Sequence, residues 1–200
     1  MSIVFAVATE QFGMIMTDTR SVNSVTLEVL SNNELKLRHL SDNVVMGVAG
    51  NGTVAKQIFE NVAISPDSFI EACVIAVHSE ISRVAFANCL LHCVLFGYTK
   101  NNELQITVIS SSNGFVPMDS VIQGQKPVCC LAPPTDDPVL FKNYKQIFEH
   151  IADRHKDIDD LRGNLVNQIK EIAKTNEGIS GTVNICQIKK GGKLEWIKIP

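Results

Sequence analysis

Within the first quarter of the chain lie Ser2, Asp18, Lys36 and Gly50, a hydroxyl, a carboxylate, an ammonium and a glycine-flanked strand end. A serine hydroxyl is a poor nucleophile until a base takes its proton. A free α-amine, of unperturbed pKa about 7.7 to 8.0, can serve as that base when the serine is the first residue. The apolar runs Ile3 to Ala8 and Met14 to Thr17 flank Thr9-Glu10-Gln11, with Gly13 just beyond, and read as two strands joined by a short hairpin loop. Folding the chain near Glu10 returns Asp18 to the neighbourhood of Ser2; adjacency, not contact, is what this pattern predicts. Taken singly, each residue has an ordinary reading. Ser2 is a common second residue, Asp18 and Arg20 make a surface ion pair, Lys36 is a solvated strand residue, and Gly50 and Gly181 are turn glycines.

Other constellations are weaker. Cys89, His92 and Cys93 invite a metal, but on a strand Cys89 and Cys93 share a face and His92 points to the other, so buried cysteine is the better account. Cys129 and Cys130 are adjacent, alternate faces, and read as small apolar residues. His150 and His155 read as surface residues around a helix end. No glycine loop of the phosphate-cradling kind and no nucleophile elbow is present.

Composition narrows the classes. The 200 residues are 45 % hydrophobic and 20 % charged with a net charge of −3, the balance of one soluble domain spanning residues 1–200. No basic patch points to nucleic acid. The apolar start has no basic n-region and soon meets Glu10, which argues against a secretory signal, and no stretch approaches the ~20 apolar residues of a membrane span. Six cysteines at this length fit reduced, mostly buried thiols and a cytoplasmic protein.

The elements that must position these residues follow in order. Ile3, Phe5 and Val7 alternate with Val4, Ala6 and Ala8, so the first strand is apolar on both faces and belongs inside a layered fold. Ser21 to Asn33 reads as an irregular excursion with a short strand at Val25 to Leu30. Leu35 to Leu40 alternates, placing Lys36 on the polar face, and Val44 to Gly50 is a buried strand. A helix carries Val54, Ile58 and Val62. Ser65 and Pro66 cap a second helix carrying Cys73, Val77 and Ile81. Strands follow at Cys89 to Tyr98, Leu104 to Ile109 and Val128 to Leu131. Asp137-Pro138 and Asp157 open two further helices, and strands Thr182 to Ile188 and Lys193 to Ile199 close the chain. Helices inserted as pairs between hairpin-linked strands imply an α+β fold, a four-layer αββα sandwich of two antiparallel sheets with helix pairs on the outer faces.

The spacing of Ser2-Ile3-Val4-Phe5-Ala6-Val7, Asp18-Thr19-Arg20, Lys36 and Gly47-Val48-Ala49-Gly50 resembles the catalytic β-type subunits of the proteasome and of the related bacterial ATP-dependent protease ring. Glu177-Gly178-Ile179-Ser180-Gly181 is similar to that family's Asp-x-x-Ser-Gly segment. The resemblance implies an N-terminal nucleophile peptidase in which Ser2 replaces the usual threonine. Removal of Met1 exposes Ser2, a cation at Lys36 keeps the α-amine neutral, and Asp18 holds that lysine charged and in place. The backbone N–H of Gly50 donates to the oxyanion, and Ser180 and Glu177 hydrogen-bond around the α-amine. It further implies a peptide or unfolded polypeptide substrate, a homo-oligomeric ring, a separate ATPase unfoldase, and no metal or organic cofactor. The absence of a long extension before Ser2 argues against the inactive α-type subunits.

Three departures stand out: Ser for Thr, Glu177 for an aspartate, and Cys130-Leu131-Ala132-Pro133-Pro134 where a Ser-Gly-Gly-type turn is expected. The alternatives are a small-amide hydrolase on the same fold, a catalytically inactive ring scaffold that retains Met1, and an α+β binding domain whose spacing is accidental.

Overall fold

The computed structural model describes residues 2–23, 26, 28–85, 89–120, 122, 126–132, 137–155 and 157–200. The strands are β1 (Val4–Ala8), β2 (Phe12–Asp18), β3 (Ser21–Val22), β4 (Val29–Ser31), β5 (Leu37–Ser41), β6 (Val44–Gly50), β7 (Leu91–Tyr98), β8 (Leu104–Ser110), β9 (Met118–Ser120), β10 (Val128–Ala132), β11 (Val183–Lys189) and β12 (Glu195–Ile199). The helices are α1 (Gly52–Asn61), α2 (Ile70–Val84), α3 (Pro138–Arg154) and α4 (Ile158–Thr175). Two antiparallel five-stranded sheets result, ordered β10-β1-β2-β11-β12 and β5-β6-β7-β8-β9, with β3 and β4 as a separate small arm.

Every residue of β1 and β2 is buried because each face of that hairpin meets a different core. Ile3, Phe5, Val7, Met14 and Met16 pack with Phe148 of α3 and Leu161, Leu165 and Ile169 of α4. Val4, Ala6 and Ile15 pack on the other side with Val45, Val94, Phe96 and Ile106 of the second sheet. A third core joins Met46, Cys93 and Leu95 to Val54 and Ile58 of α1 and Cys73, Val77 and Ile81 of α2. Each fully buried side chain of this size contributes about 1.5–3 kcal/mol relative to exposure, so the hairpin is among the most strongly held elements.

The sheets approach closely where two glycines leave room. A Cβ at Gly47 would lie 2.7 Å from Val4 Cγ1, and one at Gly13 would lie 2.7 Å from the Phe96 ring. These two points fix the alignment of the sheets. The start of β1 lies over Gly47 at the middle of β6, and the β1–β2 loop lies toward Phe96 and the beginning of β6.

Helix starts follow local chemistry where the cap is a side chain. The Asp137 carboxylate accepts from Val139 N and Leu140 N with Pro138 at the first turn, and Asp157 accepts from Asp159 N and Asp160 N. The second helix corrects the sequence reading. Ser65 to Ser68 forms a turn, Ser68 N donating to Ser65 O at 3.0 Å, and α2 begins at Ile70 after Phe69. The excursion after β2 holds the strand pair β3–β4, of which β4 overlaps the end of the strand expected at Val25 to Leu30 and β3 is not signalled by the sequence. Val25 of the expected strand lies outside the described residues.

Candidate active site

The β1–β2 register pairs Val4 with Thr17, so the next pair outward is Ile3 with Asp18. There the ladder changes hands. Asp18 N donates to Ile3 O at 3.4 Å, while Ile3 N donates to the Asp18 side chain, to Oδ1 at 2.9 Å. The adjacency expected of the hairpin is therefore a contact, made at the residue that follows Ser2. Ser2 itself is half-buried and precedes β1, and Met1 lies outside the described residues.

The Asp18 carboxylate is fully buried and meets four donors. Oδ1 accepts from Ile3 N and, at 2.8 Å, from Lys36 Nζ; Oδ2 accepts from Arg20 N at 2.9 Å and Ser180 N at 3.3 Å. A buried charge without such partners would cost several kcal/mol, and here each oxygen is shared by two donors. The surface pair of Asp18 with Arg20 is thereby corrected: only the Arg20 main chain reaches Asp18, and the buried cation is Lys36.

Lys36 is also corrected. It is buried to 6 % exposure instead of lying on a polar strand face. The reason is positional. β5 begins at Leu37, one residue later, and Lys36 O is held by Val48 N at 2.9 Å, which leaves its side chain to turn across the sheet end toward Asp18. Burial pushes the Lys36 ammonium below its ordinary pKa, and the Asp18 carboxylate pulls it back up, with Glu34 adding to that pull and Arg20 opposing it.

Ser180 is tied into this frame from the far end of the sequence. Its N–H binds Asp18, its Oγ accepts from Thr19 N at 3.0 Å, and the same hydroxyl lies 3.0 Å from Thr19 Oγ1 and 3.1 Å from the Thr182 carbonyl it donates to. Thr19 Oγ1 donates to Asn32 O at 2.7 Å. Glu177 contributes differently from the expectation. Its carbonyl accepts from the Arg20 guanidinium at 2.8 Å while its side chain is exposed. Arg20 Nε also donates to Asn32 Oδ1 at 2.8 Å, so the guanidinium pins the β3–β4 arm and the 177–181 segment to the end of β2. Thr19, Asn32 and the Ile3 amide are the members of this network that sequence reasoning missed. None carries a local signal, because each acts through a backbone group or a partner far along the chain.

Gly50 sits where β6 ends, with φ of +110°. A Cβ there would lie 2.3 Å from Leu90 O, so the position excludes side chains on both counts. Asn51 N donates to Leu90 O at 2.7 Å, toward β7, whereas Val48 N donates toward β5. Alternation therefore turns the Gly50 N–H to the β5 side, the side of Lys36. Pro133 and Pro134, in the region of the absent Ser-Gly-Gly turn, lie outside the described residues.

The metal reading of Cys89, His92 and Cys93 has the geometry expected of it. Cys89 and Cys93 belong to the core under α1 and α2, and His92 is on the opposite face of β7. Cys129 and Cys130 pack against different cores on the two faces of β10. Among the described residues no helix is long and apolar enough to cross a membrane.

Two antiparallel five-stranded sheets, with the first strand beginning beside a buried carboxylate, make an α+β fold. Among solved structures, the chain is similar in fold to the Anbu (Gly-1) mutant from Hyphomicrobium sp. strain MC1, with a TM-score of 0.77 at 10 % identity over 100 % of this chain and 88 % of that one. No family model matches the sequence, and no curated protein matches it. These findings overturn the membership implied by the resemblance to proteasome β-type and bacterial protease-ring subunits. What is shared is a fold, at 10 % identity.

Proposed function

We propose that the chain is an N-terminal nucleophile hydrolase acting on peptide bonds, with Ser2 as nucleophile once Met1 is removed. The observation that carries this reading is that one buried carboxylate, Asp18, binds both the amide of Ile3 and the ammonium of Lys36. The residue after Ser2 is thus fixed to a cation at the start of β1.

In this reading the Ser2 α-amine takes the proton from Oγ as Oγ attacks the substrate carbonyl. The Gly50 N–H stabilises the tetrahedral oxyanion, the proton passes to the departing amine, and an ester to Ser2 remains. Water then attacks the ester, its proton returning through the α-amine, and the acid product leaves. Lys36 disfavours protonation of the α-amine, and Asp18 holds Lys36 and the Ser2–Ile3 backbone in register. Ser180 orders the Asp18 side of the site through its main chain. Glu177 contributes its carbonyl to the Arg20 clamp, and its carboxylate has no catalytic part. The reading takes residues 1–200 as one domain layered helix pair, sheet, sheet, helix pair, for which the three separate cores are the support. It extends to a cytoplasmic homo-oligomeric ring fed with unfolded polypeptide by a separate ATPase.

The test is intact mass of protein purified from its native host, followed by Ser2→Ala. Loss of Met1 and a fall in hydrolysis of fluorogenic peptides by about a thousandfold or more is the expected result. Retention of Met1 in every preparation, or full activity in Ser2→Ala, would exclude Ser2 as nucleophile.

A further inference from the structure

At the end of β1 remote from Ser2 the molecule has a cleft of about 460 Å³, the size of a small-molecule site. Three connections wall it: the β1–β2 loop with Thr9 and Glu10, the β7–β8 turn with Thr99 and Glu103, and the β11–β12 turn with Lys190. The first two belong to different sheets, and Gly13 brings them together by leaving room for the Phe96 ring.

Each wall is held by its own hydrogen bonds. Thr9 Oγ1 accepts from Phe12 N at 3.0 Å, Thr99 Oγ1 accepts from Asn101 N and Glu103 N, each at 3.2 Å, and Lys190 N donates to Gln11 O at 2.8 Å. The loops are therefore set before a ligand arrives, and ordering them costs little of its binding energy.

Three charged side chains line the cleft, the Glu10 and Glu103 carboxylates and the Lys190 ammonium; Lys100 and Lys189 of the same turns do not line it. Among the described residues none of the three is spent on a protein partner. Tyr98 adds a donor. It is 7 % exposed and lines the cleft, and its Oη accepts from Gly191 N at 3.2 Å, beside Lys190, while its own O–H donates to no described residue. The Tyr98 hydroxyl and the Lys190 ammonium thus mark the β11–β12 side as the one that takes an anion.

Two negative charges and one positive charge, with a hydroxyl beside the positive one, match a ligand of two cations and one carboxylate. We propose that this cleft binds a free basic amino acid, arginine in preference to lysine. The ligand carboxylate accepts from Lys190 and Tyr98, and its α-ammonium and guanidinium are taken by Glu10 and Glu103. Arginine is preferred because a guanidinium presents a planar fork that one carboxylate accepts at two points. The inference is independent of Ser2 and of hydrolysis. A peptide that ends in arginine offers the same carboxylate and guanidinium without the second cation, so the two sources can be told apart.

The test is isothermal titration calorimetry of the full chain at about 0.15 M salt, with L-arginine, agmatine, L-norleucine and an acetylated dipeptide ending in arginine. L-Arginine should bind saturably. Agmatine, which lacks the carboxylate, and the dipeptide should bind about tenfold more weakly, the scale of one hydrogen bond to a charged group, and L-norleucine should not bind. Glu10→Gln and Glu103→Gln should each weaken L-arginine by about the same factor. Lys190→Met and Tyr98→Phe should weaken L-arginine and leave agmatine unchanged, a split that a merely structural role would not produce. Saturable binding of none of the four, or an L-arginine affinity unchanged in both glutamine variants, overturns the site. A dipeptide that binds more tightly than L-arginine overturns the free amino acid as occupant.

Discussion

Asp18 divides its two oxygens between backbone amides and a lysine, so its charge has two separate tasks. It keeps Lys36 cationic against a burial that pushes the ammonium below 10.5, and it aligns the backbone beside Ser2. If the reaction needs the ammonium, activity falls on the alkaline side as pH rises through the lowered Lys36 pKa. Asp18→Asn removes the charge that raises this pKa, so the midpoint of the alkaline limb of kcat/KM should move to lower pH. The maximum rate should also fall, because an amide NH₂ would face donors that now share a carboxylate oxygen. A midpoint that stays in place while the rate falls would leave Asp18 only the backbone-aligning task and remove Lys36 as the titrating group.

At the scale of elements, two glycines of the second sheet separate stability from site geometry. Gly97 lies under the β5–β6 turn, where an added Cβ would come 2.2 Å from Asn43 O. The Cβ of Gly47→Ala would meet Val4 Cγ1 and Ile15 Cδ1 at 2.7 and 3.1 Å, pressing on the first strand just beyond Ser2. Both Ala variants should lower Tm by several degrees, as overpacking of about 1–3 kcal/mol does in a chain of this size. Only Gly47→Ala should cut kcat/KM well beyond what its folded fraction accounts for, read by comparing activity with circular dichroism at one temperature. The same elements show what the sequence made legible. Short continuous apolar runs and Asp caps are local signals, so β1, β2, β6, α3 and α4 are legible in the sequence, and with them the meeting of Asp18 and the chain start. Ser65-Pro66 has the composition of a cap, yet the chain spends it on a turn, because Phe69 and Ile70 are drawn into cores on either side of the second sheet. Lys36 looked solvated because alternation reports the face of a regular strand, and this residue precedes one. The clamp of Arg20, Asn32 and Glu177 joins three distant segments, one through a carbonyl, and no spacing rule encodes it.

The whole molecule can be followed through its thiols, since these sample all three cores. Cys73 and Cys93 lie under α1 and α2, Cys130 and Cys186 lie between the sheets, and Cys129 packs toward α3 and α4. Burial pushes Cys73 up to about 11 and Cys93, Cys129, Cys130 and Cys186 up to about 12, from 9.0. A thiol whose pKa is raised by folding keeps its proton in the native state while the unfolded chain loses it, so stability is complete below pH 9.0 and declines as pH rises toward 11 and 12. Each such thiol removes about 1.4 kcal/mol per pH unit in that window, and several together outweigh the opposite contribution of Lys36, whose lowered pKa favours the fold as pH rises. Urea unfolding at pH 8, 9 and 10 should therefore show a midpoint that drops between the last two values. Iodoacetamide at pH 8 should leave these five cysteines unmodified in the native protein and modify them together at the urea midpoint, resolved by peptide mapping. Modification of Cys130 and Cys186 at lower urea than Cys93 would mean that the two sheets part before the outer helices leave. Prompt modification of all five without urea would show that these cores do not exclude the reagent, and the layering proposed from them would fall.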